Sequence, residues 1–82
     1  MKIRGKVGDV YRTECSDMPE MYWRMEIIVI LKEGGKKKYV CRKIDVELDT
    51  GALYLFDADG IEVQDDIVHS DYYFSKKLKT AK

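Results

Sequence analysis

The chain has 82 residues, of which 15 are Lys or Arg and 15 are Asp or Glu, so its formal charge is zero. With 45% hydrophobic and 37% charged residues it is too apolar to stay disordered, and its length allows one domain, spanning residues 1–82. No run nears the ~18 apolar residues of a membrane span, no leader core follows Lys2-Ile3-Arg4-Gly5-Lys6, and a dinucleotide-binding fold of ordinary size does not fit.

In chain order the pattern is that of short β-strands broken by turns, which predicts an all-β domain. Residues 7–13 read as a first strand and residues 15–20, holding Ser16, Asp17 and Pro19, as a loop. Residues 21–31 give the strongest strand, with Met21, Trp23, Met25, Ile27, Val29 and Leu31 apolar at period two. Gly34-Gly35 turns the chain into residues 38–46, and Asp49-Thr50-Gly51 forms a second turn. Residues 52–57 and 61–64 flank Asp59-Gly60, a signal for a two-residue hairpin. Residues 67–78 fit either a last strand or a short C-terminal helix capped by Ser70 or Asp71, and residues 76–82 read as a basic tail.

The turns set a register. Centring the first hairpin on Gly34-Gly35 pairs Trp23 with Val46, Met25 with Ile44, Ile27 with Arg42 and Val29 with Val40 on one face. The other face pairs Arg24 with Asp45, Glu26 with Lys43, Ile28 with Cys41 and Ile30 with Tyr39. The hairpin is therefore apolar on both sides near its tip, as a bent strand serving two sides of a small barrel would be; a partner covering the tip is the alternative. The same counting about Asp59-Gly60 puts Tyr54, Phe56, Ala58, Ile61 and Val63 on the core side, and leaves Leu53 and Leu55 needing a cover. The expected architecture is a small antiparallel β-barrel or strongly bent sheet of five or six strands. Its expected core comprises Val10, Trp23, Met25, Ile27, Val29, Val40, Ile44, Phe56, Ile61 and Val63. This strand order resembles that of SH3-like barrels, with residues 15–20 where their long first loop lies; the likeness is one of topology and implies no function.

The zero charge conceals a division. Residues 1–43 hold 11 basic and 6 acidic side chains, residues 44–75 hold nine acidic and no basic ones, and Lys76, Lys77, Lys79 and Lys82 close the chain. Two kinds of partner follow. An acidic face of Asp57, Asp59, Glu62, Asp65 and Asp66, or an apolar hairpin tip of Ile28, Ile30 and Tyr39, would suit a protein partner. Alternatively, Lys36, Lys37, Lys38 and Arg42, with Tyr22, Tyr39, Tyr72 and Tyr73 as stacking surfaces, would suit nucleic acid. The leading expectation is a non-catalytic module binding a protein, such as an accessory or inhibitor protein of a phage or mobile element; the nucleic-acid binder stands second. A homodimer is compatible with either.

Catalysis is not expected. His69-Ser70-Asp71 has the residue types of a triad, but neighbours in an extended strand point to opposite faces. Asp57-x-Asp59-Gly60 matches part of a calcium loop, yet Leu55 occupies the first ligand position and Asp66 the twelfth, so no metal is expected. No cofactor is implied. Two cysteines without a Cys-x-x-Cys spacing read as reduced, partly buried thiols of a cytoplasmic protein, although sequence leaves a Cys15–Cys41 bridge open.

Overall fold

The computed structural model describes residues 3–44, 52–64 and 67–82, the side chains of residues 19, 64 and 67–70 excepted. The chain forms six strands: β1 (Val10–Cys15), β2 (Met18–Glu33), β3 (Lys36–Lys43), β4 (Tyr54–Asp57), β5 (Ile61–Gln64) and β6 (Ile67–Lys79). Each pairs antiparallel with the next, and β6 returns to pair with β1, so the sheet closes into a barrel. The C-terminal alternative is thereby decided: residues 67–79 are strand, and the residues read as a basic tail begin as its last turn-free stretch, with Lys76, Lys77 and Lys79 opposite Arg12, Tyr11 and Val10.

The length of β2 explains the closure. Its first part pairs with β1, from Cys15↔Met18 to Val10↔Glu26, and its second part with β3, from Met25↔Lys43 to Glu33↔Lys36. The strand changes partner at a bulge between Ile27 and Val29, where one extra residue bends it. Gly34 and Gly35 both adopt positive φ (56° and 79°), as a two-residue hairpin turn requires, so the expected register holds from Glu33↔Lys36 to Val29↔Val40.

Below the bulge that register is corrected. Ile27 faces Cys41 and not Arg42, Glu26 faces Arg42 and not Lys43, and Met25 faces Lys43 and not Ile44. A slip of one residue exchanges the two faces, so the core takes Ile30 and Tyr39 above the bulge and Ile27, Cys41 and Met25 below it. Val29 and Ile44, expected inside, are 43% and 36% exposed, and Val40 is half-buried. Trp23 and Ile61 are half-buried too, whereas Val10, Met25, Ile27, Phe56 and Val63 are buried as expected.

Two further corrections concern turns. The expected loop at 15–20 is a tight turn over Ser16 and Asp17, with the ladder resuming at Cys15↔Met18. The second hairpin closes by Gly60 N–H donating to the Asp57 carbonyl (3.0 Å), with Gly60 at φ 78°, so the turn spans residues 57–60 and pairs Phe56 with Glu62, not with Val63. A Cβ on Gly60 would stand 3.1 Å from the Phe74 Cβ, which adds a steric reason for glycine there. The turn at 49–51 and the partners Asp45 and Val46 lie outside the described residues.

Ile3, Tyr11, Met25, Ile27, Tyr39, Cys41, Phe56 and Phe74 form the core. Phe74 stacks on Tyr11 (4.6 Å between centroids) and on Phe56 (4.3 Å), joining β1, β4 and β6 through one ring. Residues 3–9 cross one end of the barrel. Ile3 N–H donates to the Ala58 carbonyl (2.8 Å), and the buried Tyr39 hydroxyl donates to the Ile3 carbonyl (3.2 Å). Asp9, fully buried, fastens that segment. Its carboxylate accepts from the Ala81 N–H (2.6 Å) and the Lys6 N–H (3.0 Å) and lies 3.1 Å from the Lys77 ammonium. Cys15 and Cys41 are both buried and free.

Candidate functional site

The closure of β6 on β1 brings together cations that are far apart in sequence. On the outer wall Arg12 stands directly opposite Arg24 of β2 and, on its other side, directly opposite Lys76 of β6. One ladder step away Val10 lies between Glu26 and Lys79, and Glu26 faces Arg42 across the β2–β3 ladder. The result is an open groove of about 640 Å³, lined by Arg12, Tyr22, Arg24, Arg42, Ile44 and Lys79 among others.

Local geometry sets the character of each side chain. Arg12 lays its guanidinium over the Tyr22 ring at 4.1 Å from the centroid; the two residues are diagonal neighbours across β1 and β2. The Arg12 Nε has no hydrogen-bond partner, with Glu14 Oε2 at 3.7 Å. Arg42 Nε donates to Glu26 Oε1 at 2.8 Å, which orients that guanidinium and offsets part of its charge. Tyr22 is 53% exposed, and Ile44 and Leu78 also present apolar surface in the groove. Like charges directly opposite one another in a sheet are unfavourable, and Arg12 stands between Arg24 and Lys76 while also meeting Glu14 and the Tyr22 ring.

Arg12, Arg42, Lys38 and Lys77 lie within 4.0 Å of Glu14, Glu26, Glu33 and Asp9, acids of the first 43 residues. Burial alone would raise the Asp9 carboxyl. The N–H groups of Ala81 and Lys6 and the Lys77 ammonium outweigh it and hold that carboxyl below the usual carboxylate range. The Lys77 ammonium is correspondingly held above the usual lysine range by its hydrogen bond to Asp9, against a smaller desolvation effect.

The residues singled out from sequence are distributed differently from the expected groupings. Lys36 and Lys37 lie at the exposed tip and, with Arg4, Asp57 and Asp59, line a separate opening of about 680 Å³ at the barrel end. Lys38 lies 4.0 Å from Glu33 and opposite Asp57. Arg42, grouped with these lysines in the sequence reading, belongs instead to the groove on the outer wall. Of the acidic set, Asp57 spends Oδ1 on the N–H groups of Asp59 (2.8 Å) and Ile61 (3.0 Å), holding its own turn. Asp59 is exposed and Glu62 half-buried opposite Phe56, while Asp65 and Asp66 lie outside the described residues.

The apolar tip is not a surface feature as drawn. Tyr39 is fully buried, Ile30 packs against the core, and Ile28 is the half-buried residue of the bulge. Among the stacking candidates, Tyr22 is in the groove, Tyr72 packs against the core beside Trp23 (5.6 Å), and Tyr73 is 36% exposed on β6. Sequence reasoning missed Arg12, Arg24 and Lys79 as a group. Their alternation with Tyr11, Thr13, Trp23 and Met25 carried the signal, but only the β1–β2 and β1–β6 registers place them side by side.

Among the described residues no three His, Cys, Asp or Glu gather as metal ligands, and no helix is long and apolar enough to cross a membrane. Comparison with family models, with curated proteins and with solved structures gives no match to this chain.

Proposed function

We propose that this barrel is a non-catalytic binding domain whose basic outer wall takes up nucleic acid. One observation carries the reading: Arg12 faces Arg24 and Lys76 at once, a local concentration of cations that suits phosphates lying between them. The adjoining Arg42 and Lys79 extend the positive surface along the groove, and Tyr22 adds an aromatic face beside it. The reading reverses the order expected from sequence, because Tyr39 is buried and Asp57 is committed to its turn. A cytoplasmic setting accords with two free buried thiols, and an accessory role in a phage or mobile element accords with a small, densely charged domain.

The test is fluorescence anisotropy with labelled oligonucleotides over a salt series. Three or four groove cations acting on phosphates give log K against log salt a slope of about −2 to −3. Absence of binding at about 50 mM salt, where such contacts are strong, would refute the proposal.

A protein-binding reading retains one observation of its own. Val29, Val40 and Leu55 stand in one row across β2, β3 and β4 on the outside of the barrel, next to the exposed Leu31. Replacing Val29 and Leu31 with Ser separates the two readings, since it would abolish capture of a protein partner and leave oligonucleotide binding intact.

A further inference from the structure

We infer that the groove selects single-stranded over double-stranded nucleic acid, with one base stacked on the Tyr22–Arg12 pair. The inference rests on the nucleic-acid reading and assigns that site its substrate class.

Three features carry it. First, the groove is not purely basic. Tyr22, Ile44 and Leu78, which are 53%, 36% and 43% exposed, line it together with Arg12, Arg24, Lys79 and the Glu26–Arg42 pair, so cationic and apolar surfaces share the groove. A duplex offers such a wall its phosphates and sugars, and leaves the apolar groups facing water. A single strand with splayed bases covers both kinds of surface, its backbone on the cations and its bases on the apolar groups.

Second, Tyr22 is held as a platform. The Arg12 guanidinium lies 4.1 Å from its ring centroid, which fixes the ring against the wall, while half of the residue faces solvent. A base laid on that exposed surface meets a ring whose orientation is already set, so little side-chain freedom is lost on binding.

Third, the wall cannot enter a duplex groove. The major groove is about 12 Å wide and admits a helix or a two-stranded ribbon. The barrel measures 34 × 30 × 25 Å, and the cations lie on its side, spread across β6, β1, β2 and β3, not on a protruding hairpin. Contact with a duplex is thereby confined to its phosphates.

The experiment compares a fluorescein-labelled 12-nucleotide oligo(dT) with a 12-base-pair duplex, using the full chain and two variants, Tyr22→Leu and Tyr73→Leu, whose folding is checked by thermal melting. The expected result is single-strand binding at least tenfold tighter than duplex binding. Tyr22→Leu should lose about tenfold for the single strand and little for the duplex, and Tyr73→Leu, outside the groove, should match the parent. Equal or tighter binding of the duplex, or no loss in a folded Tyr22→Leu, overturns this inference and leaves the nucleic-acid reading standing. Binding of neither probe overturns both.

Discussion

Arg12 stands directly opposite Arg24 on the outer wall of the barrel, like charge against like, with Lys76 on its far side. Lys76→Glu replaces one of these repulsive pairs with an attractive one. The expected gain is about 0.5 kcal/mol, seen as a rise of roughly 2–4 °C in Tm for a domain of this size. The same variant should bind oligonucleotide several-fold more weakly. A variant that melts lower, or that binds as well as the parent, would show that the cation row serves the fold and not a ligand.

Asp9 ties the crossing segment to both β6 and the residues after it, through Lys6, Lys77 and Ala81. Asp9→Asn places a neutral amide in a buried position against two part-buried N–H groups and the Lys77 ammonium, and should cost about 2–4 kcal/mol in denaturant unfolding, a large share of the ~5–15 kcal/mol such domains possess.

The same pair sets two limits on stability against pH. The Asp9 carboxyl is held low in the fold, so its contribution is present above the ordinary carboxylate pKa of about 3.9 and fades as pH falls through its lowered value. Lys77 is held high, so its contribution is present below the ordinary lysine pKa of about 10.4 and fades as pH rises through its raised value. Denaturant midpoints measured across pH should fall at both extremes in the parent, and Asp9→Asn should flatten both limbs.

Ile27 is fully buried opposite Cys41, whereas Val29, beyond the bulge, is 43% exposed opposite Val40. Ile27→Ala should cost about 3 kcal/mol and Val29→Ala less than about 1 kcal/mol. Comparable losses at the two sites would mean that the strand runs without the bulge.

The Cys41 thiol is fully enclosed, and burial pushes its pKa up to about 12. At pH 8 the thiolate is scarce and a reagent has no path to it, so Cys41 should resist alkylation in the folded protein and react promptly in denaturant. Mass spectrometry of iodoacetamide-treated protein, with and without denaturant, reads this directly. Labelling of Cys41 in the native state at the unfolded rate would contradict the enclosed placement.

The strands and the first hairpin are legible in the sequence because period-two patterning and a Gly-Gly turn are local signals. The exchange of faces in β2 is not. Ile27, Ile28, Val29, Ile30 and Leu31 are all apolar, so an extra residue anywhere among them leaves the pattern unchanged. An unbroken period of two therefore puts Val29 on the core face and Tyr39 on the opposite one, whereas in the structure Tyr39 is buried and Val29 is 43% exposed. Asp59-Gly60 predicts a hairpin correctly but not its length, because Asp57 two residues earlier bonds the turn and lengthens it by one position. The candidate site was legible only in its parts. Tyr22 and Arg42 belong to one candidate nucleic-acid set in the sequence, but the groove they share with Arg12, Arg24 and Lys79 depends on pairings between strands that no local signal specifies.

The closure of β6 on β1 has one more consequence. Among the described residues every strand has a neighbour on both sides, so the barrel presents no edge strand for another polypeptide to extend. On the barrel wall a ligand is met by side chains. Affinity and specificity can then be rewritten one surface residue at a time while the ladders beneath stay as they are.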